Sequence, residues 1–299
     1  MRVVVTGSGG LVGRALVSSL RAAGHEATAL VRRAPGPDER PWDPDRGILD
    51  GAALEGADAV VHLAGAGIGD RRWTPARRDL LVSSRVASTS LLARTLAGLR
   101  RPPPVLVGAS AVGYYGSRGD EALTEDSGPG GGFLAELCAA WEQAARPAAD
   151  CGVRVVHLRS GIVLSTDGGA LARQLPLFRL GLGGRLGSGR QWISWISLPD
   201  EIDVIVHALH HASVRGPLNA TAPAPVRNAQ FTASLARALR RPAILAVPAP
   251  VLRLALGHDL AEEAVLASQR VLPAKLEGTR FAFRHPDLTS AFAGLFDKG

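Results

Sequence analysis

The chain has 299 residues, 46% of them hydrophobic and 20% charged, with a formal net charge of +7, and such proportions are ordinary for a globular protein. No stretch of about 18 apolar residues is free of proline or charge, which excludes a membrane-spanning helix, and two cysteines, Cys138 and Cys151, exclude a disulfide framework and a metal cluster. The basic residues are scattered and aromatic residues make up only 5%, so we expect neither a nucleic-acid partner nor binding to a membrane surface.

The first predicted element is a strand that turns directly into a glycine-rich loop. Residues 3–5 have the continuous apolar character of a strand buried on both faces, and the following glycines are spaced GxxGxxG at Gly7, Gly10 and Gly13. Gly7 permits a tight turn, Gly10 lets backbone N–H groups approach a pyrophosphate, and Gly13 lets the next helix pack closely on the strand. With a helical pattern after it, ending near Gly24, the loop is predicted to bind a dinucleotide.

Strand-like and helix-like segments then alternate along the chain. Further strands are predicted at 26–32, 58–63, 104–109, 153–158 and 217–220, and helices at 83–99, 133–149 and 199–211. This alternation predicts an α/β fold with a Rossmann-type doubly wound parallel sheet. Because the first strand begins at residue 2, we expect no signal peptide, and the sparse cysteines favour the reducing cytoplasm.

The character of the chain changes near residue 165. Frequent glycines over 165–199 predict a loop-rich substrate region, and helices are predicted at 250–256, 260–267 and 286–295. We therefore expect residues 1–164 and 200–222 to form a Rossmann domain that binds the dinucleotide. Residues 165–199 and 223–299 are expected to form a smaller C-terminal substrate region.

The end of the second predicted strand bears on the choice of dinucleotide. An acidic residue there would bind the 2′-OH of NAD, but this chain has Arg32 and Arg33. Guanidinium groups favour the 2′-phosphate of NADP by charge and by two-pronged geometry. The alternative is that both arginines are solvated residues after a strand. With the glycine loop upstream, we predict NADP(H) as the cofactor.

Several motifs together resemble the extended short-chain dehydrogenases/reductases. They are the loop over 6–13, the segment Asp-Ala-Val-Val-His-Leu-Ala-Gly from Asp58, and the segment Ser-Ala-Val-Gly-Tyr-Tyr-Gly from Ser110. More narrowly, the chain resembles the atypical epimerase family protein branch of nucleoside-diphosphate-sugar epimerase relatives, which carries a C-terminal domain of unknown function. The narrower resemblance covers nearly the whole chain, through segments at 42–43, 84–85, 133–138, 141–142, 159–164, 178–184, 187–189, 195–196, 268–276 and 283–287.

The resemblance implies a set of cofactor-binding residues. Arg32 and Arg33 are implied at the 2′-phosphate, Arg85 at a cofactor contact from the helix that follows the strand 58–63, and Arg159 near the nicotinamide end. The diphosphate is implied to lie against Gly7, Gly10, Leu11, Val12 and Gly13, and the nicotinamide ribose beside Leu63, Ala64 and Gly65. For Arg85 and Arg159 the alternative is a surface ion pair. No metal ligand is predicted.

Typical relatives use a Tyr-x-x-x-Lys pair on one face of a helix, in which the lysine lowers the pKa of the tyrosine for proton transfer. This chain cannot form that pair, because its tyrosines are Tyr114 and Tyr115 and its lysines are Lys275 and Lys298. The standard machinery of these enzymes is therefore absent.

Substitutes for the missing pair must come from other residues. Phe133 and Leu137 stand near the expected positions and cannot move a proton. Ser110, just past a predicted strand, could hydrogen-bond a substrate carbonyl, and Tyr114 and Tyr115 are the phenols in reach; these three are the predicted catalytic residues. Further candidates to face the nicotinamide, each of which could equally be structural, are Glu136, Cys138, Trp192, Ser194 and Trp195.

Two functional hypotheses remain open. The first is an NADP(H)-dependent oxidoreductase or epimerase that acts on a small, sugar-like substrate. The second is a non-catalytic NADPH-binding regulator or scaffold that kept the cofactor site and lost the proton-transfer pair. We expect a small molecule as the partner, and a homodimer is left open as the assembly.

Overall fold

An eight-stranded sheet organises the structure, a computed structural model that describes residues 1–296. In chain order the strands are β1 (Arg2–Thr6), β2 (Glu26–Val31), β3 (Glu39–Asp43), β4 (Ile48–Leu49), β5 (Ala59–His62), β6 (Val105–Ala111), β7 (Ala122–Leu123), β8 (Arg154–Ser160), β9 (Ile162–Leu164), β10 (Gly184–Leu186), β11 (Trp192–Ile193), β12 (Trp195–Ser197), β13 (Gly216–Ala220), β14 (Val226–Arg227), β15 (Leu245–Val247) and β16 (Arg270–Val271). The order in the large sheet is β13-β8-β6-β5-β1-β2-β3-β4. All pairs are parallel except β3 with β4. The doubly wound parallel sheet predicted from the sequence is confirmed.

The helices follow the strands in the expected alternation. In chain order they are α1 (Leu11–Ala22), α2 (Pro75–Ala97), α3 (Phe133–Gln143), α4 (Arg146–Asp150), α5 (Gly169–Arg179), α6 (Leu198–His210), α7 (Asn228–Ala238), α8 (Ala249–Leu256), α9 (His258–Leu260), α10 (Ala274–Gly278) and α11 (Leu288–Phe296). Short 3₁₀ turns lie at Gly51–Ala53 and Val112–Tyr115, and a π turn at Ala261–Val265. Among residues 1–296, no helix combines the length and the apolar character that crossing a bilayer requires.

Two apolar layers cover the faces of the large sheet. On one face α1 and α6 bury side chains such as Leu16 and Ile205 against the strands. On the other face α2 and α4 bury Leu92 and Ala148 against the alternate strand residues. A strand buried on both faces needs apolar side chains in both directions, which explains the unbroken runs in β1 and β5. The helices on the two faces do not cover the C-terminal ends of the strands, which leaves space there for a site.

The C-terminal part of the chain forms its own apolar cluster. Helices α5, α7 and α11 pack around fully buried Trp195, and Phe231 meets Phe292 edge to face at 5.6 Å. Paired strands β9 with β12 and β11 with β14 connect this cluster to the end of the large sheet. Residues 297–299, which end the predicted substrate region, lie outside the described residues.

Four predicted elements differ from the structure. The helix predicted over 83–99 begins eight residues earlier, at Pro75, as α2. The helix predicted over 133–149 is two helices, because Pro147 lacks the N–H that a continuous helix needs. The segment predicted to be loop-rich contains α5, which buries Leu171, Leu175 and Phe178 on one face. Its glycines mark the start and the end of that helix. The helix predicted over 260–267 is the short α9 followed by the π turn.

Candidate functional site

In the glycine loop after β1, backbone atoms approach one another so closely that a side chain would not fit at Gly7 or Gly13. Gly7 has φ +70°, and a Cβ there would lie 2.6 Å from the carbonyl carbon of Leu63. A Cβ on Gly13 would lie 2.2 Å from the carbonyl oxygen of Gly7. The loop, the end of β5 and the first turn of α1 are therefore held at a separation that only glycine allows.

The N-terminus of α1 offers free donors at this loop. Its N-cap residue is Gly10, which provides no side-chain hydrogen bond to the first turn. By position, the N–H groups of Leu11, Val12 and Gly13 have no acceptor within the helix. Uncapped donors at the positive end of a helix dipole suit a diphosphate. The glycine cradle and the bare helix end thus fit the dinucleotide that the sequence predicts.

A cleft of about 1200 Å³ runs from this loop across the C-terminal ends of β2 and β5. Its walls include residues predicted from the sequence and others that sequence reasoning missed. The predicted ones are Gly7, Gly10, Arg32, Arg33, Leu63, Ala64 and Gly65, and the missed ones include Ser8, Arg14, Trp42 and Ser84. Leu63 and Ala64 are fixed to β1, because both of their backbone N–H groups donate to Oγ1 of Thr6.

Arg32 and Arg33 lie at the end of the cleft beyond β2, and their surroundings differ. Arg33 donates two hydrogen bonds to Glu39, at 2.8 and 2.6 Å. Arg32 is 68% exposed and has only a distant contact, 3.8 Å, with Asp45. The backbone N–H of Gly36 and the side chain of Arg33 hold the pKa of Glu39 below its usual value. Arg32 is therefore the more available of the two cations for an anionic ligand.

A second cavity, of about 370 Å³, lies beyond the ends of β6 and β8. We call it the substrate pocket. Most of its walls are apolar, and the polar groups among them converge from several elements. Its lining includes Arg85, Ser110, Leu137, Trp192 and Ser194. A mostly apolar cavity with a few convergent polar groups beside a cofactor cleft is the usual form of a small-molecule site.

Arg85 lies between the cleft and the substrate pocket. It is only 7% exposed, and its Nη2 donates to the carbonyl oxygen of Ala66, which lines the cleft, at 2.8 Å. Its guanidinium carbon lies 5.0 Å from the ring centre of Trp141. Burial lowers the pKa of Arg85 to about 10, so it remains a cation at neutral pH. It forms no ion pair among the described residues, which excludes the surface ion pair considered from the sequence.

Arg159 is also buried, but it has a partner. Its Nε and Nη2 donate to the two carboxylate oxygens of Glu142, at 2.8 and 2.9 Å. Burial lowers the pKa of Arg159, but the hydrogen bonds and charge of Glu142 outweigh it, and the pKa lies above its usual value. Ser110 donates to the same carboxylate at 2.7 Å. Arg159 is 3% exposed, so this ion pair too is interior and not at the surface.

The two tyrosines lie behind this ion pair. Tyr115 is fully buried, and its hydroxyl donates to Asn219 at 2.7 Å and accepts from Arg159 at 2.9 Å. Burial raises the pKa of this phenol. The ring of Tyr114 lies under the guanidinium of Arg159, 3.5 Å from its carbon to the ring centre. Of the three predicted catalytic residues, Ser110 lines the substrate pocket, and the tyrosines do not line it.

On helix α3, where typical relatives would carry the Tyr-Lys pair, other side chains reach the substrate pocket. Leu137 and Cys138 line the substrate pocket. Phe133 packs edge to face on Trp73 at 5.2 Å. Burial raises the pKa of Cys138 to about 12, so its thiol stays protonated at neutral pH. Glu136 is exposed and does not face the pocket, contrary to the expectation from the sequence that it could face the nicotinamide.

Of the three residues near β11 and β12 that could face the nicotinamide, two line the substrate pocket and one does not. Trp192 and Ser194 line the substrate pocket. Trp195 is fully buried in the C-terminal cluster, and its indole nitrogen donates to the carbonyl oxygen of Ala224 at 3.1 Å. Over the described range, no group of three or more His, Cys, Asp or Glu side chains could hold a metal ion.

Comparisons with known proteins agree with this geometry. The model of the NAD dependent epimerase/dehydratase family matches residues 3–220. The chain belongs to this family. A second model, a domain of unknown function (DUF1731), matches residues 247–295. The resemblance expected from the sequence is confirmed, down to the epimerase family protein branch.

Relatives in this family are similar to this chain over nearly the full length of the chain. An epimerase family protein of Mycobacterium tuberculosis (MT2273) is 46% identical, over 97% of this chain and 95% of its own length. The crystal structure of human epimerase family protein SDR39U1 (isoform 2) with NADPH has a TM-score of 0.92 and 36% identity, and the match covers 100% of both chains. A nucleoside-diphosphate sugar epimerase of Corynebacterium glutamicum has a TM-score of 0.81 and 40% identity, over 98% of this chain and 57% of that one.

Proposed function

We propose that this family member binds NADP(H) in the cleft and acts as an oxidoreductase or epimerase on a small, sugar-like molecule in the substrate pocket. The observation that carries the proposal is the shared wall between the two cavities. Gly65 and Ala66 line the cleft, and Arg85, which is bonded to Ala66, lines the pocket. A ligand in the pocket would therefore lie next to the nicotinamide end of a dinucleotide in the cleft.

The cofactor assignment is supported by three features of the chain. The glycine cradle leaves the N–H groups of α1 free for a diphosphate. Arg32 is available for a 2′-phosphate. The similar human protein was crystallised with NADPH. When bound, NADP(H) would supply or accept the hydride, and the residues of the chain would hold the ligand and handle protons.

Ser110 is the predicted catalytic residue that reaches the pocket. Its hydroxyl is fixed by Glu142, which is fixed in turn by Arg159. Because its hydrogen is donated to Glu142, the pre-oriented oxygen of Ser110 can accept a hydrogen bond from a hydroxyl group of a substrate without loss of side-chain freedom. Tyr114 and Tyr115 support this arrangement from behind, since both contact Arg159.

The experiment is to titrate the protein with NADPH and with NADH by fluorescence and then to incubate the NADPH complex with a panel of carbonyl metabolites. We expect tight NADPH binding and consumption of NADPH with at least one small hydroxylated carbonyl compound. Tight binding with no consumption across a broad panel would contradict the enzymatic proposal.

A second function is favoured by one observation. Leu137 lines the pocket where relatives would carry a proton-handling side chain, which would suit a non-catalytic NADPH-binding regulator or scaffold. The two functions differ in a simple measurement. The regulator binds NADPH without turnover and changes its contacts with a partner protein when NADPH is exchanged for NADP⁺.

A further inference from the structure

Two serine–carboxylate pairs meet the substrate pocket from opposite faces of the large sheet. Ser110 donates to Glu142 at 2.7 Å, and Ser160 donates to Glu201 at 2.6 Å. Both serines line the pocket. In the β6–β8 ladder Ser110 pairs with Arg159 and Ala111 pairs with Ser160. Because side chains alternate along a strand, Ser110 faces α3 and Ser160 faces α6.

The first pair is held in its charged form. Both oxygens of Glu142 accept hydrogen bonds from the guanidinium of Arg159. A proton on Glu142 would leave that cation buried without a partner, which is strongly unfavourable. The hydrogen of Ser110 is therefore committed to the carboxylate. What Ser110 offers to the pocket is an oxygen lone pair, which accepts a hydrogen bond from a ligand.

The second pair has the opposite electrostatics. Glu201 is 1% exposed, and Ser160 is its hydrogen-bond partner, while the other carboxyl oxygen, Oε2, has no partner among the described residues. Burial raises the pKa of Glu201 to about 7, and the hydrogen bond from Ser160 offsets this only in part. When Glu201 is protonated, it can donate to Ser160, whose own hydrogen is then free to point into the pocket.

The charged groups on the elements around Glu201 are all engaged elsewhere. Helix α6 packs against α1, β6, β8, β9 and β12. On α6 itself, Asp200 and Asp203 bind the segment at Arg284, His207 bonds Thr279, and His210 is exposed. The titratable side chains of the packed elements are Arg14, which bonds Gly9; Arg21, which bonds Asp38; Arg154, which bonds the carbonyl oxygens of Ala208 and Val214; Arg159, which bonds Glu142; and His157, which burial keeps neutral by lowering its pKa.

Building on the oxidoreductase function proposed above, we propose that Ser160, backed by Glu201, gives a proton to a carbonyl oxygen of the substrate. In the same complex Ser110, fixed by Glu142, accepts a hydrogen bond from a hydroxyl or N–H group of that substrate. Pairs of carboxyl groups whose environments favour opposite protonation states commonly divide acid and base roles in this way.

The proton balance of the reduction is complete with these residues. Conversion of a carbonyl to an alcohol needs one hydride, which a dihydronicotinamide supplies, and one proton. The proton leaves Oγ of Ser160 for the substrate oxygen, and the carboxyl proton of Glu201 moves to Ser160. Glu201 is left as a carboxylate and regains a proton from water after the alcohol departs. Ser160 is thus the catalytic residue, and Glu201 is a positioning residue that acts through it.

The substrate class follows from the two serines. A carbonyl compound with a neighbouring hydroxyl group satisfies both, whereas a simple ketone leaves Ser110 without a donor. Hydroxyacetone and butanone are a matched probe pair of nearly equal size. We expect a higher kcat/KM for hydroxyacetone, and Ser110→Ala should remove most of that preference.

The test combines a readout that needs no turnover with one that does. Infrared difference spectra of the NADP⁺ complex between pH 5 and 9 should show a protonated carboxyl band that titrates near neutrality, is absent in Glu201→Gln and shifts in Ser160→Ala. With hydroxyacetone and NADPH, Ser160→Ala should lower kcat by about 100-fold or more, which is typical of general acid loss. Glu201→Gln should lower kcat and abolish its fall as the pH rises through about 7.

The control is Asp203→Asn, because Asp203 lies on the same helix in an exposed ion pair with Arg284. It should leave the band, kcat and the NADPH dissociation constant unchanged. Absence of the band, or wild-type kcat in Ser160→Ala, overturns the proton-donating pair. A band of the expected behaviour with no turnover of any carbonyl by the wild type overturns instead the oxidoreductase function, and with it the destination of the proton.

Discussion

Arg159 and Glu142 form a two-pronged ion pair in the interior, with Nε–Oε1 and Nη2–Oε2 distances of 2.8 and 2.9 Å. The pair lies between β8 and α3 and connects Ser110 on one side with the buried hydroxyl of Tyr115 on the other. Because it fixes hydroxyl groups on both sides, this ion pair holds the pocket wall in one arrangement. Its main effect is to orient these groups, since a buried pair adds little stability beyond an apolar replacement.

The first prediction concerns the loss of one partner. Glu142→Gln leaves the Arg159 guanidinium buried without an anion and should lower the free energy of unfolding by about 3–5 kcal/mol, measured by urea denaturation. Arg146→Gln is the matched control, because its ion pair with Asp150 is exposed on both sides. That substitution should cost less than about 1 kcal/mol. Equal losses of unfolding free energy in the two variants would show that breaking the interior pair costs no more stability than breaking an exposed pair.

The second prediction concerns the glycine loop. In Gly13→Ala the new methyl group would lie 2.2 Å from the carbonyl oxygen of Gly7, so α1 must move away from the loop. We expect NADPH affinity, followed by fluorescence, to fall by tenfold or more, with a stability loss of about 1–3 kcal/mol. Gly128→Ala is the control, since a Cβ there meets nothing within 4 Å. Unchanged NADPH binding in Gly13→Ala would contradict the assignment of this loop to the diphosphate.

The third prediction concerns the choice between NADPH and NADH. Arg32→Ala should weaken NADPH binding by about ten- to a hundredfold, the range for a charge-assisted contact, and should leave NADH binding nearly unchanged. Arg46→Ala is the control, because Arg46 is exposed on the neighbouring turn and pairs with Asp43. An equal loss for both dinucleotides would refute the contact with the 2′-phosphate. Arg33→Ala should have a smaller effect, since Glu39 already holds Arg33.

The sequence predicts the sheet, the glycine loop and the identity of the cofactor, but not the side-chain pairs beside the substrate pocket. Gly7 and Gly13 could be interpreted because the turn and the close helix contact follow from local spacing alone. Glu142 and Ser160, to which we assign roles in the proposals above, were not singled out from the sequence, although both stand in segments that carry the family resemblance. Their partners, Arg159 and Glu201, are distant in sequence and meet only across the sheet, and no local pattern records such a meeting.

The helix errors have a similar cause. Helix α2 begins at Pro75, after a Thr74 side chain that caps it by accepting from Arg77, but the charged first turn hides the apolar spacing by which helices are recognised. Helix α5 was hidden by the glycines on both sides of it. The informative signal for α2 was the Thr74 cap, whereas for α5 it was the helical spacing of Leu171, Leu175 and Phe178.

The fourth prediction concerns stability against pH. Burial raises the pKa of Glu201 from 4.5 to about 7, so the folded state holds this proton more tightly than the unfolded chain. Its stabilising contribution is complete below pH 4.5 and is lost as the pH rises through about 7. The loss amounts to about 3 kcal/mol. Glu201→Gln should therefore gain about this much relative to the wild type between pH 5 and 8, measured by urea denaturation.

Comparison with the wild type at each pH matters here, because His62 has the opposite dependence. Burial lowers the pKa of His62 from 6.5 to about 4, so its contribution is present above pH 6.5 and is lost as the pH falls through about 4. His62 is unchanged in Glu201→Gln and cancels in the difference. A difference that stays constant from pH 5 to 8 would show that Glu201 does not titrate in this range.

The last prediction concerns how the C-terminal segment is held on the large sheet. Asp200 is fully buried at the start of α6 and accepts hydrogen bonds from the backbone N–H groups of Arg284 and His285 at 2.7 and 3.0 Å, and from the Ser197 hydroxyl at 2.7 Å. In Asp200→Asn an amide NH₂ replaces one acceptor oxygen, so at least one buried donor loses its partner. The segment from 281 onward should then detach more often.

Trypsin measures this detachment, because it cleaves after arginine only where the backbone is accessible. We expect faster cleavage at Arg284 in Asp200→Asn than in the wild type, and no change in Asp203→Asn, which affects only the exposed side-chain pair with Arg284. Detachment would also uncover Phe231, which lines the substrate pocket and packs on Phe292 of α11. Ligand in the pocket should therefore slow this cleavage, and if it does not, α11 and the pocket are not coupled through Phe231.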